Sequence, residues 1–341
     1  MEGRTDVNEL GEFGLIEHLT KYFVDVQEST VKSVGDDAAV IQSLGLETVV
    51  STDMLVEGIH FDLMYSPLKH LGYKSVVVNV SDIYAMNAVP SQIMISLAIS
   101  NRFSVEALDE FYAGVLAACE YYKVDLIGGD MTSSPKGMIV SVTAIGHAAK
   151  ESIVYRDGAK AGDIICVSGD LGAAYIGLQI LEREKQLFLD DPSVKTDLED
   201  QEYIIGRQLK PEARWDIVKA IRDGGFKPTA MIDISDGLAS EVFHLCKQSK
   251  TGAVIEESKI PIHPDTESMA LKFQLDPVTC ALNGGEDYEL LFTVDPDDLG
   301  KIITMDDLFI IGEMTEAADG IKLKTTSGNM HTLKAQGWKH F

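Results

Sequence analysis

QIMISLAISNRFSVEALDEFYAGVLAACEYYKVDLI, residues 92–127, is the stretch on which the fold class turns. Its apolar run Ile93, Met94, Ile95, Leu97 and Ile99 reads as a strand. Ser104 then stands where an N-cap belongs, with a helix expected from there to about Tyr122. Lys123 to Ile127 returns as a strand. Thr48 to Ser51 upstream and the β-branched run Met138 to Ile145 downstream add two more. Strands alternate with helices, so the fold class is α/β or α+β.

Further out, Tyr73 to Met86 reads both ways, because Val76, Val77, Val78 and Val80 suit a strand while Ser81 to Met86 suits a helix. Leu10, Phe13, Ile16, Leu19 and Phe23 recur at the spacing of one helical face, which predicts a helix over Glu9–Phe23. The 341 residues exceed what one core usually organises, so two domains are expected. The charged, glycine-containing stretch from Ala148 to Gly162 suggests the division, with domains at 1–149 and 150–341. In the second, strands are expected at Ile164–Ser168, Met231–Ile234 and Tyr288–Val294. Helices are expected at Ala173–Arg183, after Pro211 and at Gly237–Lys247. The acids Asp190, Asp191, Asp197, Glu199 and Asp200 read as a solvated connector.

The composition is that of an ordinary globular protein, but 54 acidic against 29 basic residues give a formal charge of -25. That balance repels phosphate backbones and anionic lipid, so neither nucleic acid nor membrane is an expected partner. Cys119, Cys166, Cys246 and Cys280 are widely spaced and read as reduced core thiols. No signal-peptide pattern or long apolar segment appears, which makes the cytoplasm the expected location.

Five acids or acid pairs sit among small residues at the edges of apolar runs: Gly35–Ala39, Ser51–Asp53, Asn79–Asp82, Gly128–Asp130 and Asp233–Gly237. Each one alone is better read as a cap or turn, with Asp accepting backbone amides and Gly supplying the angle. Five together point to hard divalent cations, because carboxylates converging on one cleft need positive charge and offer only oxygen. Magnesium suits such a set. The chain lacks a Walker loop, any Gly-x-Gly, a nucleophile-elbow serine and a His-Glu-x-x-His pair. Basic side chains are also sparse near the acids, so bound phosphates would depend on metal ions and backbone amides.

The strings GDDAAV, STDMLVEGIHF, NVSDIYAMNAVP, GGDMTSS, YRDGAKAGD, SGDLGAA, MIDISDGL, NGGEDYELLF and GWKHF, in this order over nearly the whole chain, resemble thiamine-monophosphate kinase. That family groups with aminoimidazole ribonucleotide synthetase and selenophosphate synthetase. The resemblance implies a two-domain ATP-binding fold, a β-barrel-like homodimer formed through the amino-terminal domains and an active site in the interdomain cleft. It implies ATP as co-substrate and several Mg2+ ions held by Asp37, Ser51, Thr52, Asp53, Asp82, Asp130, Asp233 and Asp236. It further implies that Tyr112, Gly129, Asp130, Arg156 and Ser235 touch ATP, and that His60, Glu286 and Trp338 touch thiamine monophosphate. It also favours the helical reading of Tyr73–Met86. The positive thiazolium ring of thiamine suits a carboxylate and an indole face, the chemistry of Glu286 and Trp338. Two plainer readings stand beside these: Trp338 as cover for a core edge, and His60 as a structural hydrogen-bonding residue. Rival readings are a sibling small-molecule kinase and a non-enzymatic acidic metal-binding protein.

Overall fold

The structure, a computed structural model, describes residues 15, 17–32, 40–194 and 198–336. The chain forms two compact units. One comprises Met1–Tyr84 with Ala88–Glu151, the other Ala85–Asn87 with Ser152–Phe341.

In the first unit the short strands β1 (Thr30–Lys32) and β2 (Val40–Ile41) pair antiparallel. The main sheet has the order β3-β6-β4-β5, with β3 at Glu47–Val56, β4 at Val89–Ile99, β5 at Asp125–Ser133 and β6 at Met138–Ala148. β6 runs antiparallel to both neighbours. β4 and β5 are parallel, joined by the helix of the opening stretch. Parallel neighbours need such a crossover. That helix spans Val105–Tyr122, with Ser104 as N-cap accepting from the Ala107 amide at 3.3 Å.

Tyr73–Met86 resolves as helix: α1 runs from Leu68 to Ala85, and the crossover helix is α2. Its valines are β-formers by propensity, yet Leu71 to Ser81 are all buried. A helix buried on every side carries no polar face to give a 3.6-residue period, which is why the pattern was ambiguous. α1 and α2 meet backbone to backbone at Gly72 and Gly114. A Cβ on Gly72 would lie 2.0 Å from the Phe111 carbonyl oxygen, and one on Gly114 1.8 Å from that of Lys69. This close crossing sets where the rest of α1 lies against the sheet.

The second unit carries a seven-stranded sheet of order β13-β12-β9-β11-β7-β10-β8. The strands are β7 (Ile164–Ser168), β8 (Ala230–Asp233), β9 (Gly252–Glu256), β10 (Leu290–Val294), β11 (Leu308–Thr315), β12 (Ile321–Lys324) and β13 (Met330–Thr332). All pairings are antiparallel except β9 with β12. The helices are α3 (Ala173–Asp190), α4 (Glu202–Leu209), α5 (Trp215–Asp223), α6 (Leu238–Ser249), α7 (Pro264–Lys272), α8 (Pro277–Asn283) and the single turn α9 (Leu299–Ile302). Leu238, Val242 and Leu245 of α6 bury against Ile232, Ile234 and Leu291 of the sheet. A second cluster joins Ile176, Ile180, Ile204, Met269 and Cys280 of α3, α4, α7 and α8.

Three details differ from the sequence reading. α3 continues to Asp190, so the first acid of the expected connector is the last residue of a helix. α4 forms just before Pro211, where no element was expected. α7 and α8 each start with a proline at their first helical turn, a position that suits it because no backbone donor is lost there. Among the described residues the four-stranded and seven-stranded sheets are open, and neither closes into a barrel. All four cysteines are buried and free.

Candidate functional site

In the first unit the acids are placed by β3 and α1. Side chains alternate along β3, so Ser51, Asp53 and Leu55 share the face toward α1 while Thr52 points to the other. β3 is an edge strand with backbone amides directed away from the sheet, and Asn79 of α1 supplies a partner. Its Oδ1 accepts from the Asp53 amide at 3.0 Å while its Nδ2 donates to the Ser75 carbonyl at 3.1 Å. Three residues along, on the same helical face, the Asp82 carboxylate accepts from the Ser51 hydroxyl. Burial, the charge of Asp82 and a hydrogen bond between the two side chains push the Asp53 carboxyl up to about 7. Two carboxylates this close share a proton or a cation.

Other expected residues of this unit lie elsewhere. The Thr52 hydroxyl donates to the Val142 carbonyl and accepts from the Thr143 hydroxyl, both at 3.0 Å, on the sheet face away from Asp53. Asp130 pairs in register with Ser96, and Asp53 with Val142 and thence Ile95, which places the two acids on opposite faces. Three strand spacings of ~4.8 Å separate them by about 14 Å, too far for one ion to bind both. Gly129 has a packing reason to be glycine, since a Cβ there would lie 1.8 Å from the Ile95 carbonyl oxygen. Tyr112 is 9% exposed and packs edge-on against Phe23 and Phe111. His60 follows β3, its Nδ1 accepting from the Val56 amide at 3.1 Å. Asp37 and Trp338 lie outside the described residues.

In the second unit the turn Asp233–Gly237 joins β8 to α6. Asp233 alternates with the core residues Ile232 and Ile234 and so faces away from α6. The Glu241 carboxylate accepts from the Asp236 amide at 3.0 Å, and burial pushes Glu241 up to about 7. Arg156 is exposed and close enough to act electrostatically on both Glu241 and His244 of α6. The Gly284–Tyr288 loop is tied to this same turn. Glu286, in the left-handed region at φ 58°, donates its amide to the Ser235 carbonyl at 2.7 Å, and the Tyr288 amide donates to Ile234 at 2.9 Å. Gly285 has φ 72°, and a Cβ on it would lie 2.5 Å from the Ser235 carbonyl oxygen. Ser235, Asp236, Arg156 and Glu286 are therefore gathered at one end of this unit.

The chemistry of the donors at Ser51, Asp53 and Asp82 fits a divalent cation: all are oxygens, and two are carboxylates that repel when both are ionised. Among the described residues no group of three or more His, Cys, Asp or Glu side chains is placed to hold a metal ion by itself. An open, carboxylate-poor site is what magnesium uses when substrate phosphates and water complete its shell.

Asn79 has a supporting role that its spacing to Asp82 could have revealed. Glu241, which holds the Asp236 amide, lies five residues further on in the same segment, whereas Gln208, which holds Glu286, carries no local signal because its partner is 78 positions away.

Family models for AIR synthase related protein match in two parts, the N-terminal domain over residues 35–148 and the C-terminal domain over 160–323. Thiamine-monophosphate kinase of Aquifex aeolicus is 35% identical, covering 98% of this chain and 99% of its own. The chain belongs to the thiamine-monophosphate kinase family. Among solved members of that family, AaThiL complexed with AMPPCP and TMP is 33% identical, with a TM-score of 0.75 over 98% of both chains. The Stenotrophomonas maltophilia thiamine-monophosphate kinase superposes with a TM-score of 0.78 at 29% identity, over 94% of this chain and 98% of that one.

Proposed function

We propose that this chain transfers the γ-phosphoryl group of ATP to thiamine monophosphate, giving ADP and thiamine diphosphate. The observation that carries this reading is full-length kinship with a kinase whose solved structure holds an ATP analogue and TMP together. The paired Asp53 and Asp82 in an all-oxygen setting support it.

A phosphate oxygen of thiamine monophosphate attacks the γ-phosphorus in line. One P–O bond forms as the bond to the β-phosphate oxygen breaks, and ADP leaves with that electron pair. The attacking oxygen is already ionised at pH 7, so no general base and no covalent enzyme intermediate are required. Magnesium, when bound, supplies charge neutralisation at the phosphates. Ser51, Asp53 and Asp82 would hold it, with Asp37, Thr52, Asp130, Asp233 and Asp236 assigned to further ions by resemblance. Tyr112, Gly129, Asp130, Arg156 and Ser235 are assigned to ATP. His60, Glu286 and Trp338 are assigned to the acceptor, with Glu286 offering a negative charge to the thiazolium ring.

The reading extends to a homodimer working in the cytoplasm. Val50 and Met54 are 60% and 56% exposed on the outer face of the four-stranded sheet, where Thr52 also points, and a second copy would cover them. Among the described residues no helix is long and apolar enough to cross a membrane.

ADP release should require both thiamine monophosphate and Mg2+ and should stop with a chelator. Asp53→Ala and Asp236→Ala should each abolish it in a folded protein. Acceptor-independent ADP release, or near-normal turnover in either variant, would refute the assignment.

A further inference from the structure

Helix α6 begins at Leu238 without a side-chain cap. Its N-cap is Gly237, at φ 108°, and a Cβ there would lie 2.8 Å from the Leu282 carbonyl oxygen and 2.9 Å from the Asn283 Cα. That backbone leaves no room for the serine or aspartate that usually accepts the first amides of a helix. A carboxylate does reach back over this helix start, but from within the first turn. Glu241 is 2% exposed, accepts from the Asp236 amide at 3.0 Å and takes a further backbone hydrogen bond from Ser235.

In a capping box the reaching side chain satisfies the N-cap amide itself. Glu241 instead passes over Gly237 and holds the two residues before it, so its bonds act on the turn between β8 and α6. The other side of that turn is held by the Gly284–Tyr288 loop, whose Glu286 amide donates to the Ser235 carbonyl at 2.7 Å. With amides and carbonyl both engaged, the backbone of Ser235 and Asp236 is set, and the directions in which their side chains leave it are set too. A buried carboxylate is costly unless hydrogen bonds offset the loss of water. The helical neighbours of Glu241 at three and four residues, Leu238 and Leu245, belong to the core, where an apolar side chain would pack without needing a partner.

We propose that Glu241 is a positioning residue for Asp236: its carboxylate fixes the turn from which Asp236 projects, so that the acid meets a divalent cation in one orientation. The inference rests on the assignment of Asp236 to a cation.

The test compares Glu241→Met, which fills the space without an acceptor, and Glu241→Gln, which keeps an acceptor oxygen, with Asp236→Asn as reference. Mn2+, which suits the same oxygen ligands as Mg2+, serves as the probe. Its binding in the presence of a non-hydrolysable ATP analogue is read from the loss of the free-ion paramagnetic resonance signal. Amide hydrogen exchange over residues 231–241 is followed in metal-free protein, and melting is recorded in chelator. Glu241→Met should weaken Mn2+ binding about tenfold, the usual cost of losing a group that orients a ligand, and should speed exchange at the turn. Glu241→Gln should recover most of both, and either variant should melt within a few degrees of wild type.

If Asp236→Asn weakens Mn2+ binding while Glu241→Met binds it as wild type does, the positioning inference is overturned and the Asp236 assignment stands. If Asp236→Asn leaves binding unchanged, both are overturned. If Glu241→Met lowers melting and Glu241→Gln restores neither binding nor exchange protection, Glu241 is a structural support of the helix start and the inference is overturned.

Discussion

Asp53 and Asp82 face each other from β3 and α1, near enough that the Asp53 carboxyl is raised to about 7. The folded chain therefore prefers Asp53 neutral, and the preference runs against the ordinary ionisation of an aspartate.

Its sign is testable in metal-free protein. A carboxyl raised in the folded state favours folding at low pH, and that benefit is lost as pH rises through about 7. Asp53→Asn should therefore melt close to wild type at pH 5 and above it at pH 8. Asp53 keeps an exposed edge, so solvent screening reduces the difference to about 1 kcal/mol. Melting curves in chelator across that range decide it; a pH-independent difference would contradict the coupling.

Ser51 donates to the carboxylate of Asp82 and so orients it. Ser51→Ala should weaken the Mg2+ dependence of turnover by about tenfold, the usual cost of removing a group that orients a ligand. A magnesium titration of initial rates at fixed ATP gives the answer, and an unchanged half-saturation point would count against it.

Gly285→Ala should be costly for two independent reasons, the positive φ and the 2.5 Å approach of its Cβ to the Ser235 oxygen. A loss of about 2 kcal/mol or more is expected in denaturant unfolding of the second unit. Turnover should fall with it, because the displaced loop carries Glu286.

Asp125 is 2% exposed and organises the chain before the first strand. Its oxygens accept from the Val26 amide at 2.6 Å, the Gln27 amide at 3.0 Å and the Thr30 hydroxyl at 2.5 Å. Asp125→Ala leaves three donors without this acceptor and should destabilise the protein by about 2–4 kcal/mol. Chemical unfolding measures the loss, and Asp125→Asn, which keeps one acceptor oxygen, should recover part of it.

Much of the architecture was legible where local signals agree. Ser104 before an apolar helical period gave α2 its start, and the apolar run from Ile93 to Ile99 gave β4 its place. The valines of α1 were not decisive, because burial on all sides overrides their strand propensity. Within the acidic segments, residue type was legible but direction was not. Thr52 sits between Ser51 and Asp53 in sequence and on the opposite face of the sheet in space, since a strand turns each successive side chain over. Asp130 is separated from Asp53 by strand order, which no local string encodes. Gln208 was invisible because its meaning comes from Glu286, 78 positions away.

The glycine crossing of α1 and α2 reaches further than packing. Asp82 stands ten residues beyond Gly72 on one rigid rod, about 15 Å along its axis. A single methyl group added at the crossing would tilt that rod and swing its far end, so the acid could be displaced without any change among the acids themselves. The fold thus holds a remote adjusting screw for the geometry of the Asp53–Asp82 pair, reachable by substituting a residue ten positions away from Asp82.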